Sequence, residues 1–89
     1  MKTNINPFLV NLPTIDLHGE TLDVAIYLLN DFIEDNLKLE KPKIVVIHGL
    51  GDILRFELRN HLKEHKLVKT LEFDLRNDGV TIINLKTLK

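Results

Sequence analysis

Ile15-Asp16-Leu17-His18-Gly19 and Ile47-His48-Gly49-Leu50-Gly51 decide how this chain is read. Each is a short apolar stretch that ends in His-Gly and runs into a helical pattern. Successive strand side chains point to opposite faces, so Asp16 and His18 share one face while Ile15 and Leu17 share the other. An acid and a base are thereby set side by side at a strand end, with a glycine turn following. The second motif places another histidine at another strand end, before a second Gly-rich turn. Parallel neighbouring strands would bring both histidines to one carboxyl edge, where open α/β sheets hold their ligands.

Working outward, residues 14–18 read as the first strand. From Glu20 to about Asn36 the residues Leu22, Ala25, Ile26, Leu29, Phe32 and Ile33 form one apolar stripe at helical spacing. Thr21 is the expected N-cap, and Asp23 suits the positive first turn. Lys43 to His48 reads as an interior strand, because its Ile-Val-Val-Ile run is apolar on both faces. Asp52 is expected to cap a second helix that runs to about Lys66, with Leu54, Leu58 and Leu62 on its apolar face. Arg55, Arg59, Lys63 and Lys66 form an adjoining basic stripe within ~80° of arc. Thr70–Leu75 and Val80–Leu85 read as two strands joined by the turn residues Arg76-Asn77-Asp78-Gly79. The element order is βαβαββ.

Composition narrows the class. Eighty-nine residues make one domain, 44% hydrophobic and 28% charged, which is globular rather than disordered. Residues 1–13, with Pro7 and Pro13, read as an N-terminal tether that Phe8, Leu9, Val10 and Leu12 could pin to the domain of residues 14–89. There is no cysteine, hence no disulfide framework and no thiolate chemistry. No apolar run approaches the ~18 residues of a membrane span, and the first twelve residues lack a signal-peptide pattern. A cytoplasmic protein without a membrane partner is expected. The net charge of −1 gives no overall pull toward nucleic acid. Its distribution is uneven: Lys2 against six acidic residues gives −5 over residues 1–36, and eleven basic against seven acidic residues give +4 over residues 37–89. Such polarity permits a basic face on a neutral domain.

The two motifs in this element order, with the closing strand Gly79-Val80-Thr81-Ile82-Ile83-Asn84-Leu85, resemble the Smr (small MutS-related) domain family. The resemblance covers roughly Thr14 to Leu85. It implies a two-layer α/β sandwich, with a four-stranded mixed sheet carrying two helices on one face, similar to the C-terminal domain of translation initiation factor 3. It also implies nucleic-acid binding and endonuclease activity on RNA or structured DNA, with a ribosome or a repair complex as a further partner. The Asp-x-His and His-Gly-x-Gly residues are those the family links to activity. Leu50 stands where the family often has Lys, Val24-Ala25 where it often has Glu-Ala, and Asp78 adds an acid near a turn that is usually Gly-rich. The first and third of these reduce the expected affinity for a polyanion.

The chemistry expected of these residues follows from their types. A carboxylate beside an imidazole orients its tautomer and raises its pKa, so Asp16 and His18 suit general acid–base work, with His48 in the complementary role. Asp16 could equally accept backbone hydrogen bonds and brace its turn. The Gly49–Gly51 turn, leading into a helix N-terminus, is an anion cradle in which Gly49 and Gly51 let a phosphate approach the backbone, with Arg55 as its cationic contact. An ordinary strand-to-helix turn would use the same glycines. Asp16 also suits a divalent cation such as Mg²⁺, since hard cations favour carboxylate oxygen. His61 and His65 share a helix face but lack a third ligand, so no metal set is assigned to them. Arg59, Lys63 and Lys66 read as a solvated face paired with Glu57 and Glu64. The alternatives are an endonuclease acting by phosphodiester hydrolysis or transesterification, a non-catalytic module that docks on nucleic acid or on a ribosome or repair complex, and a small-molecule phosphate binder, for which the chain is small.

Overall fold

The structure, a computed structural model, describes residues 11–87. The expectation that Phe8, Leu9 and Val10 pin the N-terminal segment lies outside the described residues. Six elements follow one another: β1 (Thr14–Asp16), α1 (Leu22–Lys38), β2 (Lys43–Ile47), α2 (Asp52–Lys63), β3 (Val68–Phe73) and β4 (Val80–Leu85). The sheet order is β1-β2-β4-β3, with β1 parallel to β2 and β4 antiparallel to both of its neighbours. β2 and β3 are therefore parallel to each other, and β4 fills the place between them. Two right-handed crossovers moving the same way across a sheet leave their helices on the same side.

The packing agrees with that rule. Ala25, Leu29, Ile33 and Leu37 of α1 and Leu54, Leu58 and Leu62 of α2 join Leu17, Ile44, Val46, Ile83 and Leu85 in one buried core. Alternate residues of the central strands, Val45, Ile47, Val80 and Ile82, form a second cluster on the opposite face, where Leu12 packs against them. β2 is apolar on both faces for this reason. Further along that second face the surface turns polar: Lys43 pairs with Glu72 at 3.1 Å, and Asn84 donates to Thr70 and to Glu72.

Several boundaries differ from the sequence reading, each for a local reason. β1 stops at Asp16 because Leu17 to Glu20 form a turn closed by Glu20 N–H to Leu17 O, with Gly19 at φ 84° in the third position, as type II turns require. Thr21 occupies the N-cap of α1, but its side chain makes no capping bond. The cap of α2 is Gly51, not Asp52; Asp52 is the first helical residue, and its carboxylate pairs with Arg55 instead. α2 ends at Lys63 rather than Lys66, because the His65 side chain accepts the Leu67 N–H and turns the chain toward β3. Lys66 is therefore not part of a helical stripe. β3 begins two residues early, since a bulge at Lys69 lets Val68 pair with Leu85 and reach the core. Leu75, expected in that strand, lies in the connection to β4 and is fully exposed.

α1 closes in a Schellman arrangement: Lys41 N–H reaches Asn36 O, and Glu40 N–H reaches Leu37 O. The residue that must turn left-handed there is Glu40, at φ 58°, a conformation that costs an L-residue roughly 1–2 kcal/mol. Glu40→Gly is expected to raise stability by about 0.5–1 kcal/mol once glycine's greater unfolded-state freedom is subtracted. Equilibrium urea unfolding of the two proteins checks this, and a lower midpoint for the variant contradicts it.

Candidate nucleic-acid site

The parallel pairing of β1 with β2 sets the two His-Gly turns side by side. Leu17 N–H continues the ladder to Ile47 O at 2.7 Å, so the chain leaves both strands at one edge. Gly49, at φ 81°, packs its backbone against His18: a Cβ placed on Gly49 would lie 3.3 Å from the His18 Cβ. On the other side Gly79, just ahead of β4, accepts from the amides of both His48 and Gly49 at 3.0 Å, and a Cβ on Gly79 would lie 3.3 Å from the Gly49 backbone. Gly49 is thus wedged between two chain segments with room for no side chain. An open groove results, bordered by His18, Gly19, Glu20, His48 and the Gly49–Leu54 segment. Its floor includes the first turn of α2, whose leading amides have no partner within the helix and whose dipole is positive there.

Asp16 and His18 lie on the sheet face away from the helices, Asp16 in register with Ile47. Asp16 Oδ1 accepts from His18 Nδ1 at 2.5 Å and from the His18 amide at 3.1 Å. One carboxylate oxygen therefore both orients the ring and braces the turn, so the two roles open to Asp16 in the sequence are served together. With Nδ1–H held by the carboxylate, Nε2 is the nitrogen left for other chemistry. The hydrogen bond that His18 donates to Asp16, followed by the carboxylate's charge, raises the His18 pKa above the ordinary 6.5.

His48 occupies the same edge but the opposite face. Its imidazole points to the helix side, is 2% exposed, and has both nitrogens engaged. Nδ1–H donates to Gly49 O at 2.8 Å, and Nε2 accepts from the Thr81 hydroxyl at 2.8 Å. Thr81 Oγ1 in turn accepts from Arg59 Nε at 2.9 Å. The chain Arg59–Thr81–His48–Gly49 uses each donor and acceptor once, which fixes His48 as the neutral Nδ1–H tautomer. Burial, the largest cause, pushes its pKa below 6.5.

Arg55 does not border the groove. Its guanidinium is clamped between Asp52 at 2.7 Å and Asp78 at 2.6 Å, while Nε has no hydrogen-bond partner. Arg59, read from sequence as a solvated residue facing Glu57, is nearly buried and bonds Asp78 at 3.0 Å and the carbonyls of Asp78 and Val80. Arg55 stacks on Phe56 and Arg59 on Phe73, at 4.6 and 4.7 Å from the ring centres. His61 donates to Asn30 at 2.7 Å, and no group of three potential metal ligands forms among the described residues. Among the described residues Asp16 therefore belongs to no such group, and its Oδ1 already accepts twice from His18. Pattern reading gives Thr81 no role, and Asp78, expected only to lower the affinity for a polyanion, is found clamping two arginines. The available signal for Thr81 was a hydroxyl amid Val80, Ile82 and Ile83 in an interior strand, where a polar group demands a partner.

Two outcomes are expected of this network. Thr81→Val leaves Arg59 Nε and His48 Nε2 buried without their shared partner, at a cost of about 1–3 kcal/mol in denaturant unfolding. A loss under 0.5 kcal/mol would show that the hydroxyl is dispensable. In an NMR titration, His48 is expected to titrate below pH 6.5 and His18 above it. Because the folded-state pKa of His48 is lowered, its contribution to stability is complete above pH 6.5 and is lost as pH falls through the folded value.

Comparison with known proteins agrees with this architecture. The profile of the Smr domain matches residues 15–86. The endonuclease MutS2 of Geobacillus sp. (strain WCH70) is 40% identical over 76 residues, which span 81% of this chain and 10% of that protein. The endonuclease MutS2 of Lacticaseibacillus casei is 38% identical over 77 residues, 82% of this chain and 10% of that protein. The chain thus spans about a tenth of the length of these curated relatives. The crystal structure of the Smr domain of Thermus thermophilus MutS2 superposes with a TM-score of 0.81 at 25% identity, covering 84% of this chain and 99% of that one. YdaL, a stand-alone small MutS-related protein from Escherichia coli, shares the fold with a TM-score of 0.77 at 19% identity, over 83% of this chain and 64% of that one. A matched profile over nearly the whole folded unit, on an α/β sheet of this order, makes the chain a member of the Smr domain family.

Proposed function

We propose that this domain binds nucleic acid and cleaves a phosphodiester bond, with Asp16 and His18 as the reacting pair. The observation that carries the proposal is the exposed dyad itself, a carboxylate-held imidazole beside a groove whose floor is a Gly-rich turn and a helix N-terminus. A phosphodiester seated in the groove would take hydrogen bonds from the backbone of the Gly49–Gly51 turn and the first turn of α2. His18 Nε2 would then remove the proton of the attacking hydroxyl or water, or protonate the leaving oxygen, while Asp16 holds the ring and stabilises its charged form. His48, given the complementary acid–base role from sequence, is better suited to hold the Gly49 carbonyl, since neither ring nitrogen is available. Arg55 contributes to phosphate binding only when it leaves the acidic residues that clamp it. The MutS2 relatives are named as endonucleases, which accords with this reading. Docking on a ribosome or a repair complex without cleavage remains the alternative, and turnover separates the two.

His18→Ala is expected to slow cleavage of structured RNA or DNA about 10²–10⁴-fold. Because the ring is exposed, the same change should move stability by no more than ~0.5 kcal/mol. Cleavage rates and thermal melting of both proteins, each with and without a chelator, check the pair of outcomes. A variant that melts normally and cleaves at the wild-type rate would place the chemistry elsewhere; a wild-type protein that binds but never cleaves would establish the docking module. The pH profile identifies the role: activity lost as pH falls through the raised His18 pKa marks a base, and activity lost as it rises marks an acid.

A further inference from the structure

Around the corner from the groove, on the flank of α2 that faces the β3–β4 connection, two cations share one anion. Asp78 Oδ2 accepts from Arg55 Nη1 at 2.6 Å, and Oδ1 accepts from Arg59 Nη2 at 3.0 Å. The exposures are lopsided: the arginine side chains are 15% and 12% exposed, whereas that of Asp78 is 54% exposed. The guanidinium groups are largely covered, stacked on the half-exposed rings of Phe56 and Phe73 and, for Arg59, bonded to Thr81. The carboxylate is the more exposed partner of each pair, as a bound ligand would be. Two oxygens of one anion across two guanidinium groups is also how a phosphodiester is held. Asp52 takes a further Arg55 nitrogen, so two arginines face two aspartates and the cluster carries no net charge. Gly79, the next residue after Asp78, bonds the amides of His48 and Gly49, which places this cluster immediately beside the groove.

We infer that Asp78 is an internal occupant of a backbone-phosphate site formed by Arg55 and Arg59, and that a nucleic acid must displace it to engage both arginines. The inference rests on the nucleic-acid reading above and names a specificity device within it. Asp78 sits on a connecting segment, so its carboxylate can leave without moving a strand. A phosphate arriving from the groove would bring the charge that the departing carboxylate removes. The arginines would stay paired throughout, which avoids leaving a nearly buried cation alone. The Arg55 Nε, without a partner in the closed arrangement, would be one further donor for the larger anion.

The test compares wild type with Asp78→Asn, with Asp78→Ser as a second variant should the first fold poorly. Two probes are used: a labelled RNA stem-loop by fluorescence anisotropy over a series of salt concentrations, and inorganic tripolyphosphate followed through the Arg Nε–Hε NMR signals. Removing the internal anion is expected to tighten stem-loop binding about tenfold and to steepen the dependence of log K on log salt by about one. Arg55→Ala added to Asp78→Asn should cancel the gain. Tripolyphosphate should shift the Arg55 and Arg59 signals in the variant at concentrations that leave the wild type unchanged. Stem-loop affinity that is equal or weaker in the variants, with no arginine response to tripolyphosphate, would overturn the inference whether or not the wild type binds RNA. An arginine response in the variant, with no stem-loop bound by either protein, would uphold the phosphate site and refute the nucleic-acid reading instead.

Discussion

The site depends on one buried chain of hydrogen bonds, Arg59 to Thr81 to His48 to the Gly49 carbonyl. It ties α2, the central strand β4 and the turn after β2 into one unit at the edge where the groove opens. Each member is satisfied only because the others are in place. A buried hydroxyl or imidazole that loses its partner bears its full desolvation cost, so the network is stable as a whole or not at all. Its outermost bond fixes the direction of the Gly49 peptide, and that peptide is what the groove presents. Close packing confines the turn from both sides, through the contact of Gly49 with His18 and with Gly79.

The same arrangement divides the two histidines. They stand at one sheet edge, yet the parity of their positions sends them to opposite faces. His18 follows Asp16 on the face without helices and keeps its imidazole in solvent, with the pKa raised by the carboxylate. His48 follows Val46 toward the helices and is held neutral by burial. Two copies of one dipeptide, each ending a strand before a glycine turn, therefore have unlike protonation and unlike work. One is suited to move protons and the other to hold a backbone still.

Most of the fold was legible in the chain because it is written in periodicity. The two-residue alternation around Leu17, the doubly apolar Ile44–Ile47 run and the helical stripes of α1 and α2 each report what is buried, and crossover handedness puts both helices on one side, whereas the insertion of β4 between β2 and β3 is not written in the periodicity. Boundaries were less legible where a side chain competes with the backbone: His65 ends α2 by taking an amide, and a bulge at Lys69 shifts β3. The candidate site was legible as a set of residues but not as a set of roles. Alternation sets Asp16 and His18 on one face, but the doubly apolar β2 does not say which face His48 takes, nor that Thr81, thirty-three residues later, supplies the hydroxyl that neutral His48 needs. Nor does a helical wheel show that Arg59 bends toward Asp78 rather than lying in solvent beside Glu57. Those contacts arise between elements that meet only through the sheet order.

Charge near the groove has a consequence for how a ligand is recognised. Leu50 leaves the turn without a side-chain cation, and Asp52 and Asp78 neutralise the two arginines that flank it. With Glu20 and Asp16 also at this edge, its charge gives no long-range attraction to a polyanion beyond the roughly 8–10 Å screening length of ordinary buffers. On the proposed reading, what would bind a phosphate is short-ranged: backbone amides at a helix N-terminus, and guanidinium groups that would exchange one anion for another. Such contacts reward a phosphate in the right place and give little to one nearby, so the arrangement favours selectivity for backbone geometry over general affinity for charge. On that reading the uncovered Asp16–His18 dyad would meet only those phosphates that the turn had already positioned.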